Sequence, residues 1–365
     1  MTARGHIDRA LLSSALALGL LGVVMVYSSS SILAESRFGS HLHFLIRQMS
    51  WALISIVIAW GVTKLNLKRL AVYTPIALLA TIFALGLVFL MPARNGAQRW
   101  LFLGPLTVQP AEFAKLFLIA YLAFSLSKPT RDLSQYKRLL VPYLPIIGVV
   151  LGLVLLQPDL GVVIVMGVTV IAMFFMAGAP LRYLAAACLP LGASAAALVF
   201  GFGYKIARVR DYIASLEAPL EGSYQIKQAI LTLGAGGVFG AGLGDGRQKM
   251  FFLPYPHTDF IFAAMGEEIG FVGLCVALAL IFTILYRGVK IAAAQPDRFG
   301  YLLASGITLS LFFNTAVNIG VVLSLLPTTG IPLPFISYGG SSLVSAALMI
   351  GVLLNLSQRR DGWLE

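Results

Sequence analysis

The chain has 365 residues, 59% of them hydrophobic and only 11% charged, about half the charge of an ordinary soluble domain. The apolar residues fall in long runs, which points to an all-α polytopic membrane protein rather than one large water-soluble core. The net charge of +11 has a plain cause in Lys and Arg collecting in cytoplasmic loops. No basic patch interleaved with aromatics stands on a polar segment, so nucleic acid is not expected as a partner.

In chain order, an apolar run from Ala10 to Tyr27 follows Arg4 and Arg9 and precedes Ser28 to Ser31. These flanks resemble a signal peptide, but the length of the run and the apolar chain behind it predict an uncleaved first span. At about 20 apolar residues per crossing, spans are expected near 10–31, 45–63, 71–91, 109–127, 139–157, 160–178, 181–201, 259–286, 299–325 and 336–357. That makes about ten transmembrane helices in a single domain, 1–365, with both termini cytoplasmic. The cytoplasmic segments would then be 1–9, 64–70, 128–138, 179–182, 287–298 and 358–365, and they hold 15 of the 26 basic residues. The short external loops hold only Arg37, Arg47, Arg94 and Arg99, an asymmetry that one missed span would spoil.

One long external loop, about 202–258, joins spans seven and eight, and at that length a functional role is expected. It contains a short helix, Gln225 to Leu233, and then a glycine run from Gly234 to Gly246. The run lacks the Walker spacing and any dinucleotide fingerprint, so it reads as flexible backbone and tight turns. Cys188 and Cys275 both sit in apolar runs, which argues against a disulfide framework or a zinc site.

Ionisable groups at the edges of spans are costly and so mark candidate sites. Four places stand out, all predicted near the external face. In the first, Arg99 and Trp100 lead to Gln109, Pro110, Glu112 and Lys115. Pro110 starts a helix, and Glu112 and Lys115 share its face, either as a self-neutralising pair or as a pocket with Lys115 toward an anion. In the second, Asp159 of Gln157-Pro158-Asp159 stands where a helix begins, suited to capping it. The third runs from Lys249 through Pro254, His257, Thr258 and Asp259 to Glu267 and Glu268. Thr258 or Asp259 could simply cap span eight. Alternatively, Asp259 is a carboxylate at a water–lipid boundary, where desolvation suits it to general-base work. Glu267 and Glu268, two turns deeper, need partners. His257 has no second ligand at helical spacing, so a metal site is not expected. The fourth is the Pro- and Gly-broken stretch from Leu326 to Ser342, including Ser337 and Ser341. Irregular backbone at membrane depth is tolerated only against protein or water. Asn314 and Asn318 put two amides on one face of span nine. The residues together describe one external-facing site with basic groups (Arg47, Arg99, Lys115, Lys249) and a leading carboxylate, Asp259. That suits an anionic lipid-linked sugar with a hydroxyl to activate, and equally a transporter of anionic lipids.

The stretches around Phe44 to Gln48, Arg99-Trp100, Gln109 to Lys115, Gln157 to Gly161, Pro256 to Phe262 and Leu333 to Ser342 resemble, in order and over nearly the whole chain, the SEDS family (shape, elongation, division and sporulation proteins). Within it, Val26-Tyr27-Ser28, Arg47-Gln48 and the Gly246 to Lys249 segment look closer to the division and sporulation branch than to the elongation branch. The resemblance implies a peptidoglycan glycosyltransferase of the inner membrane. Its substrate would be lipid II, an undecaprenyl-pyrophosphate disaccharide-pentapeptide. Its partners would be a class B penicillin-binding protein and other divisome or elongasome membrane proteins. It makes Asp259 the essential catalytic residue, with Arg47, Arg99, Glu112, Lys115, Asp159, Lys249, His257, Thr258, Ser337 and Ser341 expected around the substrate. Many relatives carry a glutamate where this chain has Tyr255. No cofactor is demanded, although a divalent cation (Mg or Mn) could assist the leaving group. Two other classes compete. A lipid II flippase predicts coupling groups at the midplane and often an inverted repeat, and no repeat is visible. A non-catalytic scaffold would have little use for Asp259 and Lys115 at the boundary.

Overall fold

The computed structural model describes residues 5–93, 97–104, 106–128, 142–186, 206–217, 223–246, 253–254 and 256–358. The chain opens with α1 (Arg9–Phe38) and α2 (His43–Thr63). Asp8 caps α1, its Oδ1 accepting from the Leu11 N–H at 3.1 Å, and Gly39 ends it in the left-handed region. A short α3 (Leu67–Ala71) leads into α4 (Thr74–Leu87), which closes in a 3-10 turn, Val88–Leu90. Then come α5 (Pro110–Leu126), α6 (Leu144–Leu156), α7 (Leu160–Met176), α8 (Ile206–Glu217) and α9 (Tyr224–Ala235). Proline stands in the first turn of α4, α5 and α6, where its missing N–H leaves no gap in the ladder. The chain closes with α10 (Ile261–Ala293), α11 (Arg298–Val322) and α12 (Gly340–Ser357).

Five helices, α1, α2, α10, α11 and α12, are long and apolar enough to cross a membrane, and α4, α6 and α7 are shorter apolar helices. Large side chains such as Leu53, Val57, Phe83 and Phe282 stand more than half exposed on them, as lipid-facing surfaces do. The bundle is held by α2 against α12, α1 against α10, and α11 packed between α10 and α7.

Several expectations shift. The first span runs on to Phe38 and the eighth on to Ala293. The tenth starts only at Gly340, because Leu333 to Gly339 stays irregular. Span three begins after the α3 turn, at Thr74. The fold is not purely helical: Leu101–Leu103 pairs antiparallel with Leu106–Val108, Leu101 opposite Val108. Residues 181–186 are helical, but the rest of the seventh span, Cys188 and Lys249 lie outside the described residues.

Four of the six segments expected on the cytoplasmic side, 1–9, 64–70, 287–298 and 358–365, meet at one end of the bundle. Arg287 Nε donates to both oxygens of Asp8, at 3.0 and 2.8 Å. The Asp8 N–H donates to Ser357 Oγ, and the Gly5 N–H to the Gln358 carbonyl. Asn355 Nδ2 donates to the carbonyls of Val62, Thr63 and Leu65, capping α2 from a neighbouring helix. Lys68 faces Asp297, and Arg298 donates to the Ala177 carbonyl.

Helix α10 is broken at Gly270, whose φ of 67° and ψ of −173° only glycine adopts readily. A break strands backbone groups that a continuous helix would pair. The glycine run supplies their partners. Ala241 and Gly242 donate to the carbonyls of Glu267 and Glu268, at 2.8 and 3.1 Å, while Phe271 and Val272 donate to the carbonyls of Gly237 and Val238, at 3.0 and 3.1 Å. The approach is backbone to backbone: a Cβ on Gly270 would lie 2.2 Å from Gly240 N. The long loop is therefore spliced into the helix it precedes.

Candidate active site

The four polar stretches converge at the end of the bundle opposite the Asp8–Arg287 cluster. Tyr338 N–H donates to the His257 carbonyl at 2.8 Å. Ser337 Oγ donates to the Thr258 carbonyl at 2.7 Å and accepts from Leu333 N–H at 2.8 Å. Asn318 Nδ2 donates to the carbonyls of Asp259, at 2.9 Å, and Ile331, at 2.7 Å. The stretch carrying Asp259 is thus tied at three successive residues, His257 and Thr258 to the 326–339 loop and Asp259 to Asn318 of α11, which also holds Ile331 of that loop. That loop is held in turn by helices: a Cβ on Gly22 of α1 would lie 2.5 Å from the Phe335 carbonyl, and one on Gly161 of α7 would lie 2.6 Å from Ile331 Cγ1.

Asp259 lines an open cleft of about 130 Å³ together with Gln225, Asn318, Thr328, Thr329 and Gly330. A Cβ on Gly330 would sit 3.6 Å from Asp259 Oδ2, so the absence of a side chain there leaves the carboxylate accessible. Neither Thr258 nor Asp259 caps α10. Phe260 holds the cap position and makes no side-chain capping bond.

A second polar cluster lies behind the loop. Lys115 Nζ and Glu112 Oε2 are 2.9 Å apart, with both side chains 2% exposed. Arg99 donates to the Gln157 carbonyl at 2.9 Å and to the Pro158 carbonyl, and its Nη1 lies 3.5 Å from Asp159 Oδ2. Gln109 Nε2 donates to the same carboxylate at 3.2 Å, and its N–H donates to Ser341 Oγ at 2.9 Å. The capping role expected of Asp159 is not observed: it stands at the N-cap of α7 without a side-chain capping bond, because Arg99 and Gln109 hold its carboxylate. Of the two readings of Glu112 and Lys115, the structure realises the ion pair.

Arg47, Arg99 and Lys115 do not line the Asp259 cleft. Arg47 is exposed near the start of α2, one turn from Phe44, whose ring centroid lies 4.8 Å from that of His257. Gln48, the buried neighbour of Arg47, reaches the loop, with Nε2 3.5 Å from the Ser337 carbonyl. The His257 ring is buried between Phe44 and Tyr338, and Nδ1 finds no partner among the described residues. Its pKa is lowered to about 4, first by burial and then by the charge of Arg37. Glu268 accepts from Ser28 Oγ and, at 3.2 Å, from the Gly244 N–H, the structural pairing its depth requires. Sequence reasoning set Asn318 aside as a polar residue within an apolar span, and that was the signal available for it. Among the described residues no group of three His, Cys, Asp or Glu side chains is placed to hold a metal ion.

Fold and site together define a polytopic helical membrane protein with a carboxylate cleft at one end of its bundle. A family model described as cell cycle protein, covering FtsW, RodA and SpoVE, matches residues 8–362. The chain is 41% identical, over 97% of its length and 98% of the relative's, to a probable peptidoglycan glycosyltransferase FtsW of Geobacter sp. (strain M18). It is 39% identical to the stage V sporulation protein E of Bacillus subtilis (strain 168), over 93% of each chain. Among solved structures it resembles the rod shape determining protein RodA of Thermus thermophilus, with TM-score 0.72 and 30% identity, over 97% of this chain and 98% of that one. It also resembles a chain of a peptidoglycan synthase complex that coordinates polymerization and crosslinking, with TM-score 0.79 and 30% identity, over 98% and 99%. The chain belongs to the FtsW/RodA/SpoVE family of cell cycle proteins.

Proposed function

We propose that the protein is a peptidoglycan glycosyltransferase that polymerises lipid II into β-1,4-linked glycan at the outer face of the bacterial inner membrane. The observation that carries this reading is the Asp259 carboxylate in an open polar cleft, its stretch fixed by two ties to the 326–339 loop and a third to Asn318 of α11. The names of the relatives agree with it. In this reading the chain crosses the membrane about ten times, with both termini in the cytoplasm and the 202–258 segment outside. The ends of the helices support that orientation. Ser28, which bonds Glu268, lies about 30 Å up α1 from Asp8, one hydrocarbon thickness.

Asp259 accepts the proton of the GlcNAc 4-hydroxyl of an acceptor. The freed oxygen pair forms the new bond to C1 of the donor MurNAc as the C1–O bond to phosphate breaks, and undecaprenyl pyrophosphate leaves. Attack from the opposite face converts the α-linked donor into a β linkage. Arg99 and Lys115 already have carboxylate partners, so they act as fixed positive charge behind the cleft. Arg47 and Lys249 are the groups assigned to direct phosphate contact. Preorganised charge of this kind supplies the electrostatic share of catalysis. Glu112 and Asp159 hold those cations in place, His257 packs behind the Asp259 stretch between Phe44 and Tyr338, the Thr258–Ser337 bond anchors that stretch, and Ser341 holds Gln109 beside Asp159. A divalent cation, Mg or Mn, would arrive with the pyrophosphate. The partner is a class B penicillin-binding protein, which crosslinks the product.

The test is polymerisation of labelled lipid II by the full chain with its cognate transpeptidase. A folded Asp259→Asn protein should lose about 10²–10⁴-fold in rate, the usual share of a general base. Polymerisation by that variant at the wild-type rate sinks the role of Asp259. Translocation of lipid II across vesicles without any polymer replaces the transferase reading with the flippase.

A further inference from the structure

Two residues that line the Asp259 cleft each carry a buried polar atom with no hydrogen-bond partner among the described residues: Asn318 Oδ1 and Thr329 Oγ1. Asn318 is 2% exposed and Thr329 7%. A buried acceptor without a partner lowers stability by about 1–3 kcal/mol, so such atoms in a native protein call for an explanation. The orientation of the Asn318 amide is settled by its neighbours. Both atoms that the nitrogen meets are carbonyl oxygens, of Asp259 and Ile331, which can only accept. The oxygen is left on the other side of the group. Helix α11 presents Asn318 from below the cleft, while Thr329 comes from the loop that packs on Gly161. Two separate elements therefore bring an unused oxygen to the same cleft as the carboxylate.

We propose that Asn318 and Thr329 form the sugar-hydroxyl subsite of the Asp259 cleft. The Asn318 nitrogen holds the Asp259 backbone in place, while its oxygen and the Thr329 hydroxyl bind the hydroxyl groups of the acceptor sugar. This rests on the glycosyltransferase reading and adds the side of the reaction that the cleft serves. Hydroxyls that donate to both oxygens orient the sugar ring so that one more hydroxyl faces Asp259. The two residues differ in what their loss removes. Thr329→Val keeps the shape of the side chain and deletes one contact to the sugar. Asn318→Leu deletes a contact and also releases the Asp259 carbonyl, which makes Asn318 a positioning residue as well as a binding one.

The experiment measures initial polymerisation rates of full-length wild type, Thr329→Val, Thr329→Ser and Asn318→Leu against lipid II concentration, with the cognate transpeptidase present. The midpoint of thermal unfolding of each is read with and without lipid II. Thr329→Val should raise KM about 10-fold, the worth of one hydrogen bond to a buried group, with kcat within about two-fold. Thr329→Ser should restore KM. Asn318→Leu should lower kcat about 10-fold or more as well as raising KM. The rise in unfolding midpoint on adding lipid II should shrink in Thr329→Val and Asn318→Leu. An active wild type whose Thr329→Val and Asn318→Leu forms keep its KM, kcat and lipid-induced shift overturns the subsite. If Asn318→Leu does not fold, the Thr329 pair decides. If wild type makes no polymer, the glycosyltransferase reading falls, and the lipid-induced shift alone then decides the subsite: equal shifts in wild type and Thr329→Val overturn it.

Discussion

Replacing Gly270 by alanine should destabilise the protein by about 4–6 kcal/mol, which is exceptional for one methyl group. The backbone there has φ 67° and ψ −173°, a region that costs a side-chain-bearing residue about 1–3 kcal/mol. The added Cβ would also meet Gly240 N at 2.2 Å, Phe239 C at 2.5 Å and the Val238 oxygen at 2.6 Å, all of them backbone atoms. The glycine run must lift away, and with it go bonds among those from Ala241, Gly242, Phe271 and Val272. At about 1 kcal/mol net each, three such losses supply the remainder. Gly237→Ala is the matched control. Its φ is 54°, and nothing lies within 4 Å of an added Cβ, so only about 1–2 kcal/mol of left-handed strain is expected. Denaturant unfolding of both variants in the same detergent, followed by intrinsic fluorescence, compares them directly. A Gly270→Ala protein no less stable than Gly237→Ala would refute the splice between the loop and α10.

The buried pair of Glu112 and Lys115 predicts a non-additive series. Lys115→Met alone should lower stability by about 3–5 kcal/mol, because it leaves a buried carboxylate unpaired, whereas the Glu112→Leu, Lys115→Met double variant should recover most of that; unfolding curves for the three proteins test the coupling. His257 predicts a pH dependence. With its folded pKa lowered from 6.5 to about 4, the unfolded chain binds the proton first, so stability falls as pH drops from about 6.5 to about 4. The full loss is about 3 kcal/mol, and His257→Phe should flatten that part of the stability profile.

The five long apolar helices were legible because each is a long apolar run, and the gathering of Asp8, Lys68, Arg287 and Gln358 at one end follows the charge pattern that marked those segments. The site residues were legible as polar groups where the membrane makes them expensive: Glu112, Lys115, Asp159 and Asp259 all stand at such edges. Their pairings were not. Whether Asp159 caps α7 or holds Arg99 depends on where the Arg99 segment folds back, and that is a tertiary fact. The 101–108 hairpin was missed because three-residue strands carry too little alternation to register. The break in α10 was invisible because Gly270 is one of three glycines, with Gly266 and Gly273, in a run that otherwise reads as a continuous helix. Its cause lies in Gly236 to Gly242, far enough upstream to have read as loose turns.

The contact between Gly22 and the Phe335–Ile336 backbone bears on how the protein is made. Helix α1 leaves the ribosome long before the 326–339 loop does. Asp8 and Ser357, 349 positions apart, are likewise bonded to each other. The helices that wall the loop, α1 and α7, are therefore made before it and wait for it to arrive. Contacts between such distant parts of a chain form late. The Asp259 cleft takes Thr328, Thr329 and Gly330 from that loop, so it is assembled only once the 326–339 segment has folded back onto the first helix.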